Sequence, residues 1–193
     1  MTAARKPEPT CTAFAGVRRV ASGSYAAVAI AVKDLLRTSG GASVLIFDDY
    51  SGEQIDFDCR GSERDIAERI RAQFPAAPPD TRPVGRPRLG VVSREVTLLP
   101  RHWQWLAEQP GGASVTLRRL VEEARRAGPS TATRQRQVHE RTYRFMSAIA
   151  GNRENFEEAA RALFANNMSA LAALIAGWPA DIRNHVFDLA RTG

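Results

Sequence analysis

The sequence predicts an α+β protein, and three observations support that class. Strand-like runs dominate up to about residue 60 and recur once, before Pro100, apolar residues recur at helical spacing from Pro100 onward, and a stretch rich in proline and arginine follows the first region. The expected order is a β-α-β-β-α part over residues 10–75, a linker over 76–90, a strand-helix-helix segment over 91–127 and a helical cluster over 131–191. A chain of 193 residues, 44% of them hydrophobic, can bury such a core without disulfides or metal.

In the first part, CTAFAGVRRVAS (11–22) is strand-like. Ser22, Gly23 and Ser24 then offer a cap for a helix over Tyr25 to Arg37, whose apolar stripe is Val28, Val32, Leu35 and Leu36. VLIFDDYSGEQIDFDC (44–59) pairs two β-rich runs about a Ser51-Gly52 turn, and Ser62 opens a helix over Glu63 to Gln73 with Ile66 and Ile70 inward. Asp48, Asp49, Asp56 and Asp58 gather in this hairpin. Oxygen ligands in that number can hold a divalent cation, but Asp56 and Asp58 alternate with Ile55, Phe57 and Cys59, the pattern of a sheet with one wet face. A solvated face is therefore expected, and no metal.

FPAAPPDTRPVGRPRLG (74–90) carries five prolines and no apolar periodicity, which marks a linker. Within it, Gly85-Arg86-Pro87 resembles the core of the AT-hook, a minor-groove peptide, with Val84 where the hook has an arginine. A hook, an arm that contacts phosphates through Arg86 and Arg88, and an inert spacer all fit this composition.

SREVTLLPRHWQWLAEQPGGASVTLRRLVEEARR (93–126) follows. It predicts a strand from about Gly90 to Leu99, a helix with Pro100 at its first position, a Gly111-Gly112 break and a second helix with Leu117, Leu120, Val121 and Ala124 on one stripe. In the first helix Trp103, Leu106 and Ala107 share a face. Trp105 points roughly the opposite way, which makes it a candidate contact for a partner. This order of elements resembles the ribbon-helix-helix DNA-binding domain over Gly90 to Arg126. The resemblance implies an intertwined dimer whose paired strands enter the major groove, with Ser114 or Thr116 and neighbouring backbone N–H groups holding a phosphate at the start of the second helix. The strand would present Arg94, Val96 and Leu98 on one face and Glu95, Thr97 and Leu99 on the other, so Arg94 and Thr97 are the candidates to touch bases. Arg86, Arg88, Arg118 and Arg119 are the candidates to touch phosphates.

The last third is helical. Val138, Thr142, Phe145, Met146 and Ile149 share one face of a helix over Thr131 to Ala150, with Arg134, Arg141 and Arg144 on a neighbouring face. Phe156, Leu163 and Phe164 mark a second helix, Met168, Leu171, Leu174 and Ile175 a third, and Ile182, Val186 and Leu189 a fourth that opens after Trp178-Pro179.

Charge divides unevenly along the chain. Residues 1–81 carry 10 basic and 11 acidic groups, residues 82–145 carry 13 and 5, and residues 146–193 carry 4 and 5, so the whole excess lies in the middle, all of it arginine. A polyanion-binding segment needs such a focus, because each phosphate neutralised releases condensed counterions. Cys11 and Cys59 have neither metal-type nor disulfide-framework spacing and are read as buried free thiols. His102, His139 and His185 are widely separated, and Gly40-Gly41 and Gly111-Gly112 lack the residues of phosphate-cradling loops. No enzyme, cofactor or metal is expected. The longest apolar run, Ala26 to Val32, is far short of the roughly 20 residues of a membrane span, and MTAARKPEPT lacks a signal-type apolar stretch, so a cytoplasmic protein is expected.

VLIFDDYSGEQIDFDCRGSE, GRPRLGVVSREVTLLPRHWQWL and TYRFMSAIAGN together identify the chain as similar to a bacterial family known as domain of unknown function 2239. That resemblance implies that the parts evolved as one unit, and no particular activity. The function expected from the residues is DNA binding by a homodimer, in transcription regulation. Two alternatives stay open: an adaptor that binds another protein through Trp105 and the C-terminal helices, and an RNA-binding protein.

Overall fold

In the computed structural model, which describes residues 9–41, 43–75, 92 and 94–191, the N-terminal stretch read as one strand is a hairpin. Strand β1 (Thr10–Ala15) turns at Gly16, whose φ of +60° suits glycine, into β2 (Arg18–Ser24). The observed order is thus β-β-α-β-β-α. Ala13 pairs with Ala21 but Phe14 with Arg19, so one extra residue bulges β2 and re-aims the chain toward the helix that follows. Helix α1 (Tyr25–Ser39) starts where the Ser24 hydroxyl accepts the Ala27 N–H, and ends at Gly40 in the left-handed region. Strands β3 (Val44–Asp48) and β4 (Gln54–Ile55) complete an antiparallel sheet of order β2-β1-β3-β4. Helix α2 (Glu63–Gln73) carries a capping box, in which Ser62 and Asp65 satisfy each other's backbone N–H groups.

The last third forms α5 (Thr131–Ala150), α6 (Phe156–Phe164), α7 (Met168–Leu174) and α8 (Ala180–Arg191). These helices do not form a cluster of their own. Alternation along the strands sends Cys11, Ala13 and Ile46 to one face, where they pack with Val28, Val32, Ile66 and Ile70 of α1 and α2. It sends Phe14 and Phe47 to the other, where they pack with Phe145, Met146, Leu163, Ile182 and Val186 of the C-terminal helices. Both faces of the central strands are therefore covered. The division into an N-terminal domain over 10–75 and a helical region over 131–191 is redrawn accordingly: residues 1–77 and 134–193 form one compact unit, and residues 78–133 a second.

The second unit contains α3 (Pro100–Glu108) and α4 (Gly112–Ala127), which pack on each other. Pro100 sits in the first turn of α3, where its missing N–H costs no hydrogen bond. Of the span expected as a strand, Gly90 to Leu99, the described residues, 92 and 94–99, are irregular. A lone ribbon has no neighbour to satisfy its backbone.

Candidate nucleic-acid interface

Helix α4 begins without help from any side chain. Gly111 and Gly112 both have positive φ, no side chain caps the first turn, and no acidic residue lies in it. A β-carbon on Gly111 would meet the Val115 side chain at 3.1 Å, so this turn fits glycine alone. An uncapped N-terminus leaves backbone N–H groups and the positive end of the helix dipole open. Ser114 is exposed in that first turn. Thr116 is 1% exposed and points away from solvent. Of the two hydroxyls expected to meet a phosphate, Ser114 alone is accessible; helical periodicity turns Thr116 inward.

The arginines of this unit divide into engaged and free. Arg118 donates Nε–H to the Ser114 carbonyl (3.1 Å), and Arg119 pairs with Glu123 (3.3 Å). Arg125 and Arg126 both pair with Glu122 (3.0 and 3.2 Å), and the Arg125 hydrogen bond, ahead of the charge of Arg126, holds the Glu122 carboxyl below its ordinary range. Among the described residues Arg94 and Arg101 have no hydrogen-bond or ion-pair partner. Arg94 and Thr97 are exposed in the irregular segment before α3. Arg86 and Arg88, with the linker that carries them, lie outside the described residues.

Apolar side chains on the same unit are equally open. Trp105 is 48% exposed and Trp103, expected to share the inward face of Leu106, is 42% exposed. Leu99, Val115, Leu120 and Val121 are exposed as well, and of α3 and α4 only Leu106 and Thr116 are buried.

The basic face expected on α5 is largely committed to folding. Arg141 is buried and donates from Nε and Nη2 to the Leu189 carbonyl at the end of α8 (3.0 and 2.7 Å); burial lowers its pKa. Arg144 donates to the Ser51 carbonyl (2.9 Å) and pairs with Glu53 (3.4 Å). The excess charge counted over 82–145 therefore includes two arginines that clamp the first unit together.

That unit also encloses a polar cluster that sequence spacing does not reveal. Asp48 and Asp49 are not on a wet face. Asp48 is buried, accepts the Tyr25 hydroxyl in a short hydrogen bond and takes the Tyr50 and Ser51 N–H groups, which closes the turn before β4. Desolvation, followed by the Asp48 hydrogen bond, raises the Tyr25 pKa. Asp49 accepts from the Thr12 hydroxyl (2.8 Å) and lies 3.8 Å from Nε2 of His185. His185 is wedged between the rings of Phe14 and Phe145. Burial lowers its pKa, against the opposing pull of Asp49 and Asp188. Cys11 is buried and pushed up to about 12, first by desolvation. Cys59, expected to be buried, is half-exposed. Asp56 and Asp58 remain exposed, with Asp58 paired to Arg60 and Arg69. Among the described residues no three His, Cys, Asp or Glu side chains converge as metal ligands do, and no helix is long and apolar enough to cross a membrane.

A family model described as an uncharacterized protein conserved in bacteria (DUF2239) matches residues 10–190, from the first residue of β1 to the last but one of α8. No curated protein and no solved structure matches the chain.

Proposed function

The chain belongs to that bacterial family, and we propose that it is a DNA-binding protein acting as a homodimer, with regulation of transcription as its use. One observation carries the reading: the bare start of α4, with exposed Ser114 beside it and Arg118 and Arg119 one turn further on. Open N–H groups, a hydroxyl and two guanidinium groups together suit a backbone phosphate. The Arg119–Glu123 pair does not stand in the way, because exposed pairs of this kind contribute only about 0–1 kcal/mol and a phosphate outcompetes them. The exposed apolar side chains of α3 and α4 supply the dimer contact, and pairing of residues 94–99 with the same segment of a second copy would satisfy their backbone.

The test is a fluorescence-anisotropy titration of the full chain against two unrelated duplexes at several salt concentrations. Replacing Arg118 and Arg119 by Ala is expected to weaken both by similar factors and to flatten the log-affinity against log-salt slope by about one unit for each phosphate no longer neutralised. Arg94→Ala or Thr97→Ala is expected instead to change the preference between duplexes. If the double variant binds both as tightly as the native chain, the interface lies elsewhere. The exposure of Trp103 and Trp105 then favours the second reading, an adaptor that takes another protein through α3.

A further inference from the structure

A cavity of about 370 Å³ opens on the first unit between two loops, residues 152–155 joining α5 to α6 and the stretch from Leu174 to Trp178 leading into α8. Its frame is braced. The Trp178 indole, 4% exposed, donates to the Glu154 carbonyl (2.9 Å), and Asn155, in the left-handed region at φ +62°, reaches the Leu174 carbonyl (3.4 Å). Arg183 ties down the carbonyls of Ala176 and Trp178 from behind. Gly151 allows the first loop to leave α5 closely, since a β-carbon there would sit 2.6 Å from the Ser147 carbonyl oxygen.

Among the described residues three side chains of this frame have no hydrogen-bond or ion-pair partner, Asn152, Arg153 and Glu154, and Arg153 is the cation among them. Arg153 lines the cavity, half-buried, and among the described residues its guanidinium has no acceptor and no carboxylate within ion-pair distance; its Nε is fully shielded and unpartnered. A shielded Nε without a partner is costly, and the rest of the half-buried guanidinium, which no carboxylate engages among the described residues, is what an oxyanion in the cavity can reach. The start of α6 is not that partner's holder, because Glu157 and Glu158 occupy its first turn. We propose that this cavity is a binding site for a small molecule bearing a carboxylate or phosphate group, held by Arg153. A guanidinium pairs with either oxyanion through parallel N–H bonds, and a cavity of this size, at the low end of the range for small-molecule sites, fits a metabolite. Asn152 and Asn155 stand at the walls to fix its orientation. The site is independent of the DNA-binding reading and lies wholly within the unit formed by residues 1–77 and 134–193.

The test is a titration of the full chain, labelled with nitrogen-15, followed at the Trp178 indole N–H and the backbone amides of Asn152, Asn155 and Gly177. Inorganic phosphate and succinate are added in separate arms, each against sodium chloride of equal ionic strength. At least one anion is expected to shift these signals saturably, with half-saturation on the order of millimolar, and the arm that saturates identifies the oxyanion. Arg153→Gln is expected to weaken that response at least about tenfold, and Arg153→Lys to weaken it less. Should Arg153→Gln not fold, Asn152→Glu, which sets a carboxylate at the cavity wall, is read in its place and must give the same loss. Shifts no larger than those of chloride in both arms overturn the proposal, as does a response undiminished in the Arg153→Gln or Asn152→Glu chain.

Discussion

Replacing Phe145 by Ala tests whether the sheet and the C-terminal helices share one core. The ring is completely buried on α5, with its centroid 5.3 Å from that of Phe14, 5.0 Å from Phe47 and 4.5 Å from His185. An aromatic side chain buries on the order of 150–250 Å², and at about 25 cal/mol per Å² this amounts to about 4–6 kcal/mol. The β-carbon that alanine retains brings the expected loss to about 4 kcal/mol, within the roughly 3–5 kcal/mol of buried Phe→Ala changes. Phe164→Ala is the control: that ring is 51% exposed on α6 and lies beside the rings of His139 and Tyr143, so its loss is expected to cost roughly 1 kcal/mol. Urea unfolding by circular dichroism measures both. Amide hydrogen exchange at Phe14 and Phe47 then decides the point, because strands that share the core must lose protection together with α5. If Phe145→Ala leaves those strand amides as protected as in the native chain, the sheet is stable without the helices and the single-core description is wrong. Phe145→Leu, expected to cost about 1–2 kcal/mol, serves if the alanine chain does not fold.

Three further outcomes are expected. Burial lowers the pKa of His185 below its ordinary 6.5, so as pH falls below 6.5 the unfolded chain takes up a proton that the folded chain resists; stability is lost over that fall, and the urea midpoint should drop less between pH 7 and pH 5 in His185→Gln than in the native chain. Gly52→Ala should cost about 3 kcal/mol or more, because φ is +69° and the new β-carbon would fall on the Arg141 carbonyl, whereas Gly177→Ala, with open space around it, should shift the melting temperature little. The proposed dimer should appear by light scattering at micromolar concentration as about twice 21.1 kDa, and Trp103→Asp with Val121→Asp should return it to a monomer; a monomeric native chain at that concentration removes the ribbon-helix-helix arrangement.

What the sequence determined by itself is what neighbours a few residues apart can encode. Ser24 and Ser62 mark the starts of α1 and α2 because a hydroxyl caps N–H groups within its own turn. Pro100 marks the start of α3, and Gly40 and Gly111 mark breaks that only residues tolerant of positive φ make easily. The apolar stripes of α5 and α8 are periodic, and Val138, Phe145, Met146, Ile182 and Val186 are buried accordingly. Tertiary structure alone decided which segments meet. Phe14 and Phe145 are far apart in the chain, and no local pattern states that they touch; hence the helices expected to stand alone cover the second face of the sheet. The candidate site divides along the same line. Bare Gly111-Gly112 and the run Arg118-Arg119 are local and legible, but counting charge treats every arginine alike. Arg141 holds the end of α8, Arg144 holds the hairpin turn, and Arg153 faces a cavity without a partner. A guanidinium is directed by the acceptors that surround it, and those come from distant segments that only the folded chain brings within about 3 Å.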